Sequence, residues 1–485
     1  MNKLLPLVSV MGAVLMLFSG TFLLPLITSL WFGDGSAWAF LESSLITLAT
    51  GFLLWFATRR FKRELKARDG FLLVVLVWTG MAAFATLPLI KGIPGLSFTD
   101  AYFETMSGLS TTGATVLVGL DNLPRSLNLW RHLLNWLGGM GIIVLAVAIL
   151  PLLGIGGREM YKAETPGPMK DTKLTPRITE TAKSLWLVYL GITIACIVSL
   201  RLAGMSWFDA VCHAFAAMGL GGFSTHDASV GYFNSPAIEA VLIVFMLIAG
   251  MNFATHFLVW REKSFRPYRL DSVAKFFLLL VLGSCVGVAA YLELMGTYDN
   301  FWTALRHASF NLVSIATDCG FASVDFNQWP IFAPLWMLFL SCISVSSGST
   351  GGGIKMIRTL IVIKQGWREM HHLLHPRGIF PIKVDGAVIP NKVVFSVQGF
   401  IFLYFYSVIG LSFVLMLSGL DFVSSFSAVI ACINNAGPGL NQVGPAGNYQ
   451  GLTDFQTWVC AFTMLLGRLE LFTLLIVFTP AFWRK

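Results

Sequence analysis

The sequence predicts an all-α, polytopic membrane protein in which an N-terminal two-helix hairpin precedes four pseudo-repeated helix–loop–helix units. Three observations carry this: a composition too apolar for a water-facing surface, basic residues confined to alternate inter-span segments, and a short motif that recurs once in each unit. Of 485 residues, 56% are hydrophobic and only 12% are charged, against about 25% charged in soluble domains. A soluble chain of this length would divide into several domains, each with a charged skin. Here lipid must be the solvent for most of the surface. Apolar runs of about 20 residues recur, long enough to cross a bilayer core of roughly 30 Å as helices.

The first run, residues 4–30, follows Lys3. It exceeds the roughly 7–15-residue apolar region of a cleaved signal and is read as a permanent span rather than a removed one. A second run at 38–58 completes the hairpin, assigned to residues 1–69. Four larger units follow, with boundaries 70–178, 179–269, 270–390 and 391–485, each a span out, a stretch rich in small residues, and a span back. Most of the 33 Lys and Arg residues lie at Lys3, from Arg59 to Arg68, Arg158 to Lys183, Arg261 to Lys275, Lys355 to Lys392, and at Arg484-Lys485. That distribution puts these segments, and both termini, in the cytoplasm. It also accounts for the net charge of +8 without a nucleic-acid partner. The seven cysteines, Cys196, Cys212, Cys285, Cys319, Cys342, Cys432 and Cys460, lie in or beside apolar segments with no CxxC or zinc-type spacing. They read as small buried hydrophobes.

The repeat becomes visible when the stretches between spans are aligned: 107–115 SGLSTTGAT, 216–224 AAMGLGGFS, 314–322 SIATDCGFA and 431–439 ACINNAGPG. Each has glycine at its seventh place, Gly113, Gly222, Gly320 and Gly437. A short helix-like run precedes each glycine, beginning near Asp100, Asp209, Phe301 and Phe422, with Asp100 and Asp209 expected as N-caps. Chain that dips into a membrane and returns is tolerated only where protein or a water-filled cavity covers it. Four such segments around one axis would aim free carbonyls at that axis, and a ring of carbonyls replaces the hydration shell of a monovalent cation. Glycine permits the positive φ that a Cβ opposes, and helix C-termini facing the axis add partial negative charge. Each unit therefore reads as helix–pore loop–helix, with one central pore.

These motifs resemble those of the Trk/Ktr/HKT superfamily of K⁺ transporters, and most closely its Trk-type branch, over nearly the whole chain. They are Thr111-Thr112-Gly113-Ala114-Thr115, Gly221-Gly222-Phe223-Ser224-Thr225, Thr317-Asp318-Cys319-Gly320-Phe321 and Asn434-Asn435-Ala436-Gly437-Pro438-Gly439, with Ser347-Gly348-Ser349-Thr350-Gly351-Gly352-Gly353-Ile354-Lys355 as a fifth. The resemblance implies a K⁺-binding filter made by the glycines and the two residues before each: Thr111 and Thr112, Leu220 and Gly221, Asp318 and Cys319, Asn435 and Ala436. With no TVGYG sequence, the expected filter is shorter than that of tetrameric K⁺ channels. The resemblance further implies K⁺ as the bound and transported ion, no organic cofactor, a bacterial cytoplasmic-membrane location, a homodimer, and a cytosolic ring of TrkA-type nucleotide-binding subunits. No nucleotide-binding signature occurs in this chain's own loops.

Two further features invite roles. Gly348, Gly351, Gly352 and Gly353 interrupt the return span of the third unit and will break a helix. This segment is either a linker just past the membrane, marked by Lys355 and Arg358, or a mobile gating loop across the pore, which the resemblance favours. Arg468 sits within the last apolar run, where lipid exposure would cost at least ~2.5–3.5 kcal/mol. It either braces helices through backbone groups or faces the pore, contacts the Gly-rich loop and repels cations. Glu470, two residues on, points to a different face and is a poor partner for it. Asp318 contributes either a negative field at the mouth or its backbone alone. His213 and His307 read as packing residues, and His371, His372 and His375 as a solvated cytoplasmic loop. A membrane enzyme or a scaffold would not need four broken loops. A K⁺ symporter driven by H⁺ or Na⁺ remains the alternative, with Glu470 its best buried carboxylate.

Overall fold

The computed structural model describes residues 4–61, 66–148 and 178–484. Most of the basic segment from Arg158 to Lys183, together with Lys3, Lys62, Arg63 and Lys485, lies outside the described residues. Within them the chain is helical apart from loops and one two-stranded antiparallel hairpin, with Lys383 opposite Val388. That hairpin turns on Asp385 and Gly386, both at positive φ, as a tight Asp-Gly turn requires.

The N-terminal hairpin runs through Leu5–Phe32 and Ala37–Thr58, each long and apolar enough to span a membrane. Its helices cross at two glycines, where a Cβ on Gly12 would lie 2.6 Å from Gly51 O and one on Gly51 2.8 Å from Gly12 O. Small residues allow this backbone approach where lipid offers no hydrophobic drive to association. The turn is pinned to the first unit by Asp34, whose carboxylate accepts hydrogen bonds from the Ser126 amide at 2.8 Å and the Ser36 amide at 3.1 Å.

The four outgoing spans, Arg68–Gly92, Lys183–Leu202, Ser272–Leu294 and Asn391–Leu417, are also long and apolar. They leave large side chains such as Leu202, Leu279, Leu294, Phe402 and Leu417 at the surface, the pattern of a protein solvated by lipid. The return segments differ. Arg125–Ala148 runs to the edge of the described residues. Pro236–Ala249 and Phe253–Glu262 meet at 94°, and Asp454–Arg468 and Phe472–Phe478 at 111°. In the third unit Phe332–Ile343 stops short and the chain resumes helix only at Met356–Leu374.

The sequence reading anticipated a break in the third unit alone, so the bends in the second and fourth are corrections. At the first bend Asn252 caps the next helix by accepting from the Ala254 amide at 2.9 Å. At the second, Glu470 and Leu471 both adopt positive φ, and neither residue type announces that conformation in a sequence.

Inside the spans lie four short helices, Phe98–Leu109, Trp207–Gly219, Phe301–Ala316 and Phe422–Asn434. Their N-caps are Ser97, Ser206, Asn300 and Asp421, each accepting from the amide three residues on at 2.9–3.0 Å. Asp100 and Asp209 are therefore not the caps. They sit in the first turn, where each accepts the hydroxyl proton of the capping serine and its charge complements the helix dipole.

Candidate functional site

The four short helices end in the same way. The residue two before each aligned glycine is left-handed, with φ of 56° at Thr111, 54° at Leu220, 63° at Asp318 and 59° at Asn435. The next amide closes back on the carbonyl five residues earlier: Thr112 on Ser107, Gly221 on Ala216, Cys319 on Ser314 and Ala436 on Ala431, at 2.8–2.9 Å. This is a helix-terminating closure normally built on glycine, and non-glycine residues adopt it at about 1–2 kcal/mol each. The aligned glycines are again left-handed, at 78°, 58°, 91° and 90°. One backbone path thus occurs four times in one chain.

The four loops form a closed ring. A Cβ on Gly113 would fall 1.9 Å from Gly221 O, one on Gly222 2.1 Å from Cys319 O, one on Gly320 2.5 Å from Ala436 O, and one on Gly437 2.8 Å from Thr112 O. Each glycine faces the carbonyl that precedes the next loop's glycine, and the fourth loop returns to the first. Among the described residues, the only carbonyl of these loops' last three residues to receive a hydrogen bond is Gly437 O, from the Tyr449 hydroxyl at 2.9 Å. Thr111, Thr112, Leu220, Asp318, Cys319, Asn435 and Ala436 are all buried. Buried carbonyls without donors are uncommon in folded proteins. All four glycines line one open cavity, bordered also by Thr115, Arg131, Ser224 and Tyr449.

Past each glycine the chain is tied back to its own short helix. Thr115 Oγ1 donates to Glu104 at 3.0 Å, His213 Nε2 meets Ser224 Oγ at 2.9 Å, Asn311 Nδ2 donates to Ser323 Oγ at 3.0 Å, and the Leu440 amide donates to Ser427 Oγ at 2.8 Å. Glu104, His213 and Asn311 occupy one position of the repeat, just before the start of the aligned stretches. His213 thus both packs and holds a strand. His307 stacks on Tyr298. No metal-holding cluster occurs among the described residues, and His371 and His372 lie against Phe380.

On the other side of the ring the Gly-rich segment crosses beneath the helix ends. The Ser346 amide donates to Gly250 O at 3.0 Å, and Thr350 Oγ1 to Met218 O at 3.0 Å. A Cβ on Gly351 would lie 3.1 Å from Thr317 O, and one on Gly352 1.9 Å from Asn434 O. The segment therefore touches the second, third and fourth loops at close range. Gly348 and Gly353 are left-handed, as is Lys355, whose ammonium donates to Gly351 O.

Arg468 is buried, with Nη1 donating to Thr350 O at 2.8 Å and Nη2 to Gly138 O at 2.7 Å. It joins the Gly-rich segment to the first unit. Both bonds are to backbone carbonyls of other segments. Glu470 pairs instead with Arg358 at 2.9 Å. The Asp318 carboxylate lies toward Gly351 and does not line the cavity, which corrects its placement at the mouth.

Comparison with known proteins agrees with this architecture. Residues 36–485 match the family model for TrkH, described as cation transport protein. The chain is 47% identical to the Trk system potassium uptake protein TrkH of Vibrio parahaemolyticus, over 99% of each chain. It is 46% identical to that of Salmonella typhimurium, over 98% of each, and 40% identical to TrkG of Escherichia coli. The crystal structure of the potassium transporter TrkH from Vibrio parahaemolyticus superposes with a TM-score of 0.91 at 44% identity, covering 99% of this chain and 100% of that one. Helical fold, closed ring and full-length similarity agree: the chain belongs to the TrkH family of cation transport proteins.

Proposed function

We propose that the chain carries K⁺, and Rb⁺ with it, across the bacterial cytoplasmic membrane through a selectivity filter formed by the four loops. The observation that carries this reading is the ring of loop carbonyls from Thr111, Thr112 and Gly113, Leu220, Gly221 and Gly222, Asp318, Cys319 and Gly320, and Asn435, Ala436 and Gly437, of which Gly437 O alone receives a protein donor among the described residues. Such oxygens substitute for the hydration shell of a monovalent cation, and their number and spacing favour one ion over another. The C-termini of the four short helices add partial negative charge at the ring. The relatives' description as potassium uptake proteins supports K⁺ as the substrate.

The Gly-rich segment, with Gly348, Gly351, Gly352, Gly353 and Lys355, and Arg468 then form the gate. Arg468 places a buried cation on the closed side, where it repels K⁺ leaving the filter, and its bond to Thr350 O holds the segment in place. Opening would break that bond and move a strand already rich in glycine. A nucleotide-binding cytosolic ring of TrkA type supplies the regulatory energy, and the membrane subunit works as a homodimer with both termini in the cytoplasm. Glu470 is paired with Arg358, which favours a gated pathway over a carboxylate-coupled symport.

The test is radiolabelled Rb⁺ uptake into liposomes holding the purified chain, with K⁺, Na⁺ or Li⁺ competing, beside Gly113→Ser and Arg468→Ala. Block by K⁺ but hardly by Na⁺ or Li⁺, lost in Gly113→Ser, is expected. Arg468→Ala should raise uptake by about tenfold, the scale of charged hydrogen bonds. Uptake that requires an imposed H⁺ or Na⁺ gradient would establish the symporter instead, and unchanged flux in Arg468→Ala would remove the barrier role.

A further inference from the structure

We propose that Arg131, together with Glu104, is a positioning residue for ion discrimination: the pair clamps the exits of the first and second loops to each other and so sets the opening between them. This rests on the reading of the four loops as the filter.

Arg131 lies on the helix Arg125–Ala148 and is only 1% exposed, beside a Glu104 that is equally buried. Its Nε donates to Glu104 Oε1 at 2.6 Å. Nη1 donates to Ser224 O at 3.2 Å and to Asn128 Oδ1 at 3.0 Å, and Nη2 reaches Thr115 Oγ1 at 3.3 Å. The guanidinium also stacks 4.3 Å from the Phe223 ring centroid. Glu104 in turn accepts from Thr115 Oγ1 and, at 3.1 Å, from the Val116 amide. Thr115, just past Gly113, and Ser224, just past Gly222, therefore meet on one buried ion pair, while farther out Asp227 accepts from the Gly119 and Leu120 amides and His226 meets Asp121.

Neutral bonds join the exits at the other three seams, with the Arg306–Glu239 pair and its bond to Asn234 added at the second. Gly231 N donates to Ala322 O at 3.1 Å, Asn441 N to Asn327 Oδ1 at 3.0 Å and Tyr449 N to Thr115 O at 2.9 Å. The first seam is also the tightest at the ring, with the 1.9 Å approach of a Gly113 Cβ to Gly221 O. A guanidinium fork can serve the carboxylate and two strands at once, whereas an ammonium at the end of a flexible stem cannot. The charge by itself is therefore not what the position requires.

The experiment uses the full-length chain in liposomes and reads the ratio of Na⁺ to K⁺ concentrations that half-block radiolabelled Rb⁺ uptake. Arg131→Lys should narrow this ratio by about tenfold, the scale of one charged hydrogen bond, while some uptake persists. Thr115→Val, which removes the hydroxyl shared by both charges but leaves the pair in place, should narrow it in the same direction and by less. It carries the readout if Arg131→Lys does not fold.

Arg306→Lys is the comparison for a purely structural role. Arg306 pairs with Glu239 between the second and third units at 2.7 Å and 2.9 Å and reaches Asn234 Oδ1 at 3.1 Å, farther along the chain from Gly222 than Ser224 is, so the ratio should stay unchanged even if less protein folds. A ratio unaltered in Arg131→Lys, or in Thr115→Val if that variant alone folds, while Gly113→Ser alters it, would overturn the clamp and leave the filter reading intact. A ratio unaltered in Gly113→Ser as well would remove the filter reading itself.

Discussion

The aligned glycines differ in how much room their missing side chains leave, and that difference orders the damage from replacing them. An added methyl group would meet a backbone oxygen at 1.9 Å on Gly113, 2.1 Å on Gly222, 2.5 Å on Gly320 and 2.8 Å on Gly437. Backbone oxygens cannot swing aside as the end of a side chain can, so the neighbouring loop must move. All four positions also need positive φ, which adds about 1–2 kcal/mol for any other residue. Loss of K⁺ preference is therefore expected in the order Gly113→Ala, Gly222→Ala, Gly320→Ala, Gly437→Ala. Competition of Rb⁺ uptake by Na⁺ measures it, and equal effects at all four would show that backbone conformation alone matters.

At the scale of elements, the short helices depend on their caps. Ser97 and Ser206 each satisfy an otherwise free amide and also orient the aspartate three residues on. Ser97→Ala and Ser206→Ala should each cost about 0.5–2 kcal/mol, read as a lowered melting temperature in detergent with ion preference retained. The N-terminal hairpin is held differently, through Asp34 in its turn. Burial raises the pKa of this carboxyl, but hydrogen bonds from Ser29, Ser126 and Ser36 outweigh it and leave the group below its ordinary value. A depressed carboxylate stabilises the folded state above its unfolded pKa of about 3.9. That contribution fades as pH falls through the lowered folded value. Protection factors of the amides in residues 33–36, taken against the intrinsic exchange rate at each pH, should therefore fall at acid pH, whereas Asp34→Asn should show low protection even at neutral pH.

For the whole molecule, the proposed function depends on four units closing around one axis with the Gly-rich segment on a single side. The proposed reading takes the basic clusters as marking the cytoplasmic side, so the strand hairpin at Lys383–Val388 should lie there too. A cysteine introduced at Ala387, in a background without the native ones, should react with a membrane-impermeant thiol reagent only after cells are opened. Labelling of intact cells would reverse the orientation and put the Gly-rich segment on the outer side.

The sequence by itself determined the solvent, the span count of the hairpin and outgoing segments, and the glycine register, because each is a local property. Apolar length reports lipid, and a glycine at a fixed place reports a backbone that no side chain tolerates well. The break at Gly348–Gly353 was legible for the same reason, and the register also held Glu104, His213 and Asn311 for a closer comparison. Tertiary structure alone decided the order of the loops around the ring, the bends at Asn252 and Glu470, the turn of Asp318 toward Gly351, and the reach of Arg468 to Thr350 and Gly138. It also decided that Arg131 meets Glu104 and the second loop. Apart from the two bends, these are pairings between residues far apart in the chain, and a single sequence names the partners without saying which of them folding brings within a hydrogen bond.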